Sequence, residues 1–198
     1  CAQVMKVKPG SMGKAIPGHI VDVIDEEGNV LPPGKVGIVG ARPDAVTFLH
    51  YLNNPEATRK KFTPNGWLKT GDMAQKDEEG YFYFVGRDDD IIKSAAYRIG
   101  PSEIEDCLLK HKCVSVCAAV GTPDELRNEV VKAFIVVKPE YRERIKHSED
   151  AREDLTKDIQ NHVKKFLAAY EYPRYIEFVE ELPMTTTGKI QRKVLRDR

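Results

Sequence analysis

The stretch Gly86-Arg-Asp-Asp-Asp-Ile-Ile-Lys-Ser-Ala-Ala-Tyr-Arg-Ile-Gly-Pro-Ser-Glu-Ile-Glu105 decides how this chain is organised. Three consecutive carboxylates, Asp88 to Asp90, lie between an aromatic, β-prone segment at Tyr81–Val85 and a second apolar segment. Adjacent acids are rarely packed in a core, whereas in a linker they stay hydrated in every orientation of the flanking pieces. We therefore place a domain boundary within Gly86–Asp90, with a β-rich part at 1–88 and a second part at 89–198.

The rest of this stretch predicts a hairpin followed by a helix. The segment from Ile91 to Ile99 is apolar on both sides of Ser94-Ala95-Ala96, which is typical of two short strands and a turn. Pro101 suits the first position of a helix. The spacing of Ser102 and Glu105 predicts a capping box at the start of that helix.

On either side of this stretch the predicted secondary structure differs: the first part is rich in strands and the second alternates helices and strands. Together they predict an α+β fold. The first part predicts strands at His19–Ile24, Val36–Ala41, Trp67–Thr70 and Met73–Asp77, and a helix at Pro55–Phe62 capped by Asn54. The second part predicts a short mixed sheet with flanking helices: strands at Val114–Val120, Val130–Val137 and Tyr175–Val179, a turn at Gly121–Asp124, a helix at Glu149–Ala169 and a short basic helix after Pro183.

Composition limits the class of protein. The 198 residues include 31 basic and 31 acidic ones, so the positive charge expected of a nucleic-acid-binding protein is missing. The longest apolar runs are far too short to span a bilayer, and the first residues show no basic segment followed by an apolar one. These observations predict a cytoplasmic protein without nucleic-acid partners and without a membrane span.

The cysteines and histidines do not predict a metal site. The spacings of Cys1, Cys107, Cys113 and Cys117 match no zinc pattern, and the five histidines do not pair at ligand spacing. We interpret the last three cysteines as small buried hydrophobic residues. His162 lies within an apolar helical pattern, which favours a structural role.

Three segments carry residues that could take part in binding or catalysis. Trp67-Leu-Lys-Thr-Gly-Asp72 ends a strand in an acid that could accept hydrogen bonds from two adjacent hydroxyl groups. Gly86–Glu105 is the second segment. Pro183-Met-Thr-Thr-Thr-Gly-Lys-Ile-Gln-Arg192 presents Lys189 on a Thr/Gly loop, which is not a Walker A loop because the earlier glycine is absent and Ile190 replaces the required hydroxyl residue.

In this order and spacing, the three segments resemble conserved motifs of the adenylate-forming superfamily. Two segments, Arg42–Thr58 and Tyr97–Glu105, are especially similar to the acyl-CoA synthetases of the acetate and medium-chain type. The resemblance implies an AMP-forming ligase that couples a carboxylic acid to AMP with ATP and then transfers the acyl group to CoA. It also implies that 1–88 is the end of a large N-terminal domain and that 89–198 is the small, mobile C-terminal domain.

The resemblance implies a role for each motif residue. Asp72 would hold the ribose hydroxyls, Arg87 would contact the nucleotide, and Asp89 would be the hinge. Lys189 would be the catalytic lysine of adenylation, stabilising charge on the α-phosphate. Arg98 would contact phosphate, and the hairpin residues Ala95, Ala96 and Tyr97 would face CoA.

Each residue also has an ordinary structural interpretation. Asp72 could cap a turn, and Arg87 could pair with Asp88. Arg98 could pair with Glu103 at the surface. Lys189 could be an exposed loop lysine without a catalytic role.

Two features depart from the family pattern. The hairpin reads Ala95-Ala96-Tyr97-Arg98 where Ser-Gly-Tyr/His-Arg is usual, so a methyl group at Ala96 would narrow the approach of the pantetheine arm and slow thioester formation. The phosphate loop, the acyl pocket and the Mg²⁺ ligand of the family would all precede Cys1. We therefore expect that these 198 residues do not catalyse the full reaction alone.

Two other functions stay open. The chain could be part of an adenylation domain that serves a carrier protein, although no carrier serine motif follows Lys189. It could also be a non-catalytic module that binds a nucleotide, CoA or a protein partner.

Overall fold

The computed structural model describes residues 5–42 and 48–198. Cys1 and residues 43–47 of the Arg42–Thr58 segment lie outside the described residues. The chain separates into two compact units, Cys1–Asp89 and Asp90–Arg198. This division falls one residue after the predicted boundary, and the functional roles given to the two parts stay predictions.

The first unit contains a four-stranded antiparallel sheet in which the strands follow one another in chain order. Its elements are β1 (Val21–Ile24), β2 (Val36–Ala41), α1 (Pro55–Lys60), β3 (Leu68–Lys76) and β4 (Phe82–Arg87). Asn54 caps α1 through its side chain, as predicted, because its Oδ1 accepts a hydrogen bond from the Ala57 amide at 3.0 Å.

The two strands predicted around Gly71 form the single strand β3. Gly71 has φ +88°, a left-handed conformation that glycine adopts without a steric penalty. The register against β4 shifts between Met73 and Ala74, so a bulge absorbs the irregularity instead of ending the strand.

The second unit contains a five-stranded mixed sheet, which confirms the predicted α+β class. Strand β8 is central, because it pairs with β7 along its length, with β5 at one end, and with β9 in parallel. The elements are β5 (Ile92–Ser94), β6 (Tyr97–Ile99), α2 (Pro101–Leu109), β7 (Val114–Asp124), β8 (Asn128–Val137), α3 (Pro139–His147), α4 (Glu149–Phe166), β9 (Tyr175–Phe178) and α5 (Arg192–Arg196).

Both faces of the β7–β8 pair are buried. The helices α2 and α4 cover one face with Ile104, Leu108 and Ile159, which pack against alternate residues of the strands. The other face contacts Leu182 and Leu195, which flank the Lys189 loop. Successive side chains of a strand point to opposite faces of the sheet, and here both faces are covered. Residues between these faces are therefore apolar in succession, which explains the nearly continuous apolar runs in the sequence.

Two predictions for this unit are wrong. Strand β7 continues through Gly121–Asp124, and the turn lies at 125–127, where Asp124 Oδ1 accepts from the Leu126 and Arg127 amides at 3.1 and 2.8 Å. Pro123 is tolerated because β7 is an edge strand of the sheet.

The predicted capping box is also absent. The N-cap of α2 is Gly100, so no side chain caps the first turn of this helix. The Glu105 side chain does not reach back to the start of the helix but accepts a hydrogen bond from the Ala119 amide at 2.9 Å. Helix α3 was not predicted, because its charged sequence gives little apolar periodicity.

The described cysteines are buried, as expected, and their thiols are unreactive. Cys107, Cys113 and Cys117 are all free. Burial raises the thiol pKa of Cys113 to about 11 and that of Cys117 to about 12, so the thiolate needed for chemistry is scarce at neutral pH. His162 is partly buried, with Nε2 3.1 Å from the Cys107 carbonyl oxygen.

The predicted hairpin forms, and its turn places strain on Ala95. Ser94 pairs with Tyr97, so Ala95 and Ala96 are the two turn residues. Ala95 has φ +50°, whereas Ala96 is not among the residues with positive φ. The position that favours glycine is therefore Ala95 and not Ala96.

We expect Ala95→Gly to stabilise the second unit by about 0.5–1 kcal/mol, because it removes a left-handed alanine at a smaller entropic cost. Ala96→Gly is the matched control and should destabilise the unit by about 0.4–1 kcal/mol. Both changes in the free energy of unfolding can be measured by urea titration, with the NMR signals of β8 as the probe of the folded state. Equal effects of the two substitutions would contradict the assignment of strain to Ala95.

His111 lies in a buried polar cluster that should make stability depend on pH. Its Nδ1 is 3.0 Å from Cys113 Sγ, its Nε2 is 3.3 Å from Asp158 Oδ2, and the His162 ring meets it edge to face. Burial, assisted by His162 and Lys112, lowers the pKa of His111, although Asp158 opposes the shift. The neutral imidazole is therefore the native form.

We expect the free energy of unfolding of the second unit to fall as the pH drops below about 6.5, the ordinary pKa of histidine, because the unfolded chain then binds a proton that the folded chain resists. His111→Asn should flatten this dependence between roughly pH 7.5 and 5.5. His147→Asn, on the exposed side of α3, controls for the loss of one histidine. An unchanged slope in His111→Asn would exclude His111 as the cause.

Candidate functional site

The first unit brings together Asp72 and Arg87, two of the predicted nucleotide-binding residues. They are partners across β3 and β4, and Arg87 Nη1 donates to Asp72 Oδ1 at 2.9 Å. The side chains are 39% and 51% exposed, so both groups remain accessible to a ligand. Among the described residues, Asp72 Oδ2 receives no hydrogen bond, and it can therefore accept one from a ligand.

The local backbone explains why these two side chains meet. Gly71 leaves space for the guanidinium, because a Cβ at this position would lie 3.0 Å from Arg87 Nη2. The Gly71 carbonyl accepts from the Asp88 amide at 2.9 Å, and the Thr70 hydroxyl accepts from the Asp72 amide at 3.1 Å. The Asp72 side chain therefore pairs with an arginine and does not cap a turn.

Arg87 also approaches the predicted hinge residue. Its Nε is 3.7 Å from Asp89 Oδ1, whereas the alternative pair with Asp88 does not form among the described residues. Asp89 is 73% exposed. The cation thus lies between two carboxylates, and a bound phosphate would compete with them for it.

The second unit places Arg98 and Tyr97 on the exposed hairpin. Arg98 Nη1 contacts only the Tyr97 carbonyl, at 3.4 Å, and does not pair with Glu103 within the described chain. The Tyr97 ring stacks on Tyr170, with centroids 3.8 Å apart and an angle of 12° between the planes. The hairpin therefore presents one available guanidinium and one fixed aromatic ring.

A groove beside the hairpin contains two arginines that the sequence did not reveal. It has a volume of about 70 Å³ and is lined by Ala95, Tyr97, Arg127, Tyr172 and Arg174, among others. Neither arginine forms an ion pair with any residue that the structure describes. Arg127 lies in the turn after β7 and Arg174 follows Pro173, so no periodic pattern marked either of them.

Lys189 lies on a tight turn and is exposed to solvent. The Gly188 amide donates to the Thr185 carbonyl at 2.9 Å, and the Lys189 amide donates to Thr185 Oγ1 at 3.1 Å. Met184 and Ile190 pair at the base of the turn. No carboxylate of the described residues pairs with the Lys189 ammonium, so it is available to an anionic ligand.

Comparisons with known proteins show what this arrangement is similar to. Residues 103–189 match the family model of the AMP-binding enzyme C-terminal domain. The chain is 50% identical over 196 residues to human acyl-coenzyme A synthetase ACSM1, mitochondrial, and 48% identical to rat ACSM3, mitochondrial; each match covers 97% of this chain and 33% of the relative. The chain thus spans about a third of the length of these relatives.

A solved structure shares the fold. The anthranilate CoA ligase AuaEII in complex with anthranoyl-AMP matches with a TM-score of 0.78 and 41% identity, over 96% of this chain and 35% of that one. The curated relatives carry mitochondrial names, so the expected cytoplasmic location stays a prediction. Within residues 5–42 and 48–198, no helix has both the length and the apolar character needed to cross a membrane.

We expect Gly71→Ala to destabilise the first unit more than Gly80→Ala does. Both glycines have φ near +85°, at +88° and +85°, so both substitutions carry a backbone penalty of about 1–2 kcal/mol. Only the Cβ at position 71 crowds Arg87, whereas nothing lies within 4 Å of one at position 80. Fluorescence of Trp67, the single tryptophan, reports urea unfolding of this unit. Equal losses would show that Arg87 adjusts without cost.

Proposed function

We propose that this chain is part of an AMP-forming acyl-CoA synthetase and takes part in the synthesis of acyl-CoA from a carboxylic acid, ATP and CoA. The match of residues 103–189 to the model of the AMP-binding enzyme C-terminal domain and the 48% identity to rat ACSM3 support this proposal. The observation that carries this proposal is the Asp72–Arg87 pair, which leaves a carboxylate oxygen available to a ligand. AMP and diphosphate would be the other products.

We assign the nucleotide contacts of the first unit to Asp72 and Arg87. A carboxylate with an available oxygen accepts hydrogen bonds from adjacent hydroxyls such as those of ribose. The guanidinium of Arg87 offers further donors for a phosphate or for the ribose, because only Nη1 and, at a longer distance, Nε are engaged.

Lys189 would act in the adenylation step. An oxygen of the substrate carboxylate attacks the α-phosphorus, the bond from this phosphorus to the bridging oxygen breaks, and diphosphate leaves with the electron pair. Negative charge grows on the α-phosphoryl oxygens in the transition state. An ammonium group placed beside them stabilises this charge electrostatically, and the exposed position of Lys189 suits a group that must reach a ligand.

The hairpin and its groove would act in the thioester step. The CoA thiol attacks the acyl carbonyl carbon, the carbon–oxygen bond to AMP breaks, AMP leaves, and the thiol proton passes to solvent. CoA carries several phosphates, and Arg127 and Arg174 offer two guanidinium groups that form no ion pair with the described residues and lie next to Ala95 and Tyr97. Arg98 on β6 would supply a further contact with phosphate, and Ala96 lies in the hairpin turn beside Ala95.

Asp89 would be the pivot about which the second unit turns between the two steps. It precedes the first residue of that unit, and because its side chain is exposed, rotation of its backbone removes no buried side chain of its own from a core. The described residues contain no group of three or more potential metal ligands, and the ligand of the Mg²⁺ that accompanies ATP would lie outside this chain.

We further propose that the 198 residues alone do not complete the reaction, because the related synthetases are about three times as long. The acyl substrate is not assigned. A non-catalytic nucleotide-binding or CoA-binding module and a carrier-linked adenylation domain are the competing functions, and the experiment below separates them.

The test replaces the matching third of rat ACSM3 with this chain and assays the two steps separately. Lys189→Ala should slow adenylation by roughly 10²–10³-fold, as expected for loss of one transition-state contact. The same variant should form acyl-CoA from supplied acyl-adenylate at nearly the normal rate. Arg127→Ala should show the opposite pattern, with the KM for CoA raised roughly tenfold or more through a lost charged hydrogen bond.

Lys193→Ala and Arg144→Ala are matched controls, since both replace exposed cations of the second unit. Equal effects of Lys189→Ala and Lys193→Ala would exclude the catalytic role. A folded chimera that performs neither step would favour the binding module. Transfer to a carrier protein in preference to CoA would favour the carrier-linked domain.

A further inference from the structure

Four charged residues of the second unit form an ion-pair cluster, which we call the Asp90 cluster. Arg192 Nη2 donates to Glu105 Oε2 at 2.7 Å, and its Nε donates to Glu105 Oε1 at 3.2 Å, so the guanidinium binds this carboxylate in a bidentate manner. Asp90 accepts from Arg192 at 3.4 Å and from Arg196 at 2.8 Å. Two carboxylates thus neutralise two guanidinium groups.

The cluster is more enclosed than the other ion pairs near the proposed site. The exposed fractions are 16% for Asp90, 12% for Glu105, 21% for Arg192 and 26% for Arg196, against 51% for Arg87. Enclosed, bidentate pairs hold side chains in fixed positions, whereas exposed pairs contribute little.

The cluster joins parts of the unit that are distant in sequence. Asp90 directly follows the proposed pivot, and Glu105 on α2 also accepts from the Ala119 amide of β7 at 2.9 Å. Arg192 starts α5, three residues after Lys189. The segment that carries Lys189 is therefore fastened to a helix, to a strand and to the residue after the pivot.

The turn itself cannot supply this anchoring. Its hydrogen bonds, from the Gly188 and Lys189 amides to Thr185, all lie within the turn. They fix its shape but not its position on the unit. The position depends on the two ends, where Leu182 and Leu195 are buried and Arg192 is ion-paired, and on Ile190, which packs against the same core as the two leucines.

We infer that Arg192 is a positioning residue for Lys189, and that the Asp90 cluster makes the Lys189 turn and the residue after the pivot parts of one rigid body. This inference rests on the proposed function for the role of Lys189. A rotation at Asp89 would then be transmitted to Lys189 without loss, because Asp90 and the turn do not move relative to each other.

Amide hydrogen exchange by NMR on the 198-residue chain tests this inference without an activity assay. Arg192→Gln should raise exchange at Thr185, Gly188 and Lys189 by about tenfold or more, since a charged hydrogen bond is lost, while core amides of β8 change by less than about twofold. Asp90→Asn, which preserves shape, should raise the same rates and serves as the second variant if Arg192→Gln is poorly folded.

Arg192→Lys separates geometry from charge. A lysine keeps the charge but lacks the planar fork, so the turn should still loosen. Glu177→Gln is the matched control, because it removes a comparable pair with Lys132 at 2.8 Å elsewhere in the unit, and it should leave the turn unchanged.

Two results would overturn the inference. Unchanged exchange at the turn in both Arg192→Gln and Asp90→Asn would mean that the turn is held without the cluster. A parallel rise at the turn and in β8 would mean that the cluster only stabilises the fold. Neither result depends on whether Lys189 acts in adenylation, which the two-step assay measures separately.

Discussion

The antiparallel pairing of β7 with β8 is the interaction on which the second unit depends. It runs from Val114 opposite Val137 to Asp124 opposite Asn128, and both of its faces are covered. A ladder between two apolar layers is shielded from water, which protects its backbone hydrogen bonds. The proposed functional groups are attached at its margins: the hairpin through Ser94 at one end, and the Lys189 segment through Leu182 and Leu195 on one face.

The residues proposed to bind ligands are therefore distinct from the buried residues that hold the fold together. Lys189 lies on a turn, Arg87 ends β4, and Asp72 and Arg98 lie within β3 and β6. All four side chains reach solvent, while the elements behind them are fixed by burial. The buried titratable groups serve the fold instead. Cys113 and Cys117 are held in the thiol form, and His111 is held neutral.

Local signals in the sequence predicted those features that local physics decides. The hairpin around Ala95-Ala96 and the cap at Asn54 depend on neighbouring residues alone, and both were predicted correctly. The turn expected at Gly121–Asp124 failed because pairing with β8 outweighs the turn propensity of Gly and Pro there. The capping box failed because Glu105 has a tertiary partner, Arg192, that sequence spacing does not reveal.

The site shows the same limit. Asp72, Arg87 and Lys189 were identified through ordered motifs, and the structure gives each of them an accessible side chain. Arg127 and Arg174 are 47 positions apart in the sequence, since 174 − 127 = 47. They line one groove only because β8 follows the turn of Arg127 and β9 pairs in parallel with β8. No pattern within either segment predicts that the two arginines lie close together.

The exposure of these groups sets a physical condition on the proposed chemistry. Two unit charges 4 Å apart interact by about 1 kcal/mol in water, but by about 4 kcal/mol at the effective dielectric constant of about 20 that is typical near a protein surface. Lys189 is exposed and Arg87 is half exposed, so in these surroundings each would stabilise a phosphoryl transition state weakly. Their full effect requires that water be excluded around the α-phosphate when they reach it. Besides this condition, a lysine on a short, hydrogen-bonded turn loses less entropy on contact with the ligand than one on a flexible tail would, because the backbone of the turn is ordered before the ligand arrives.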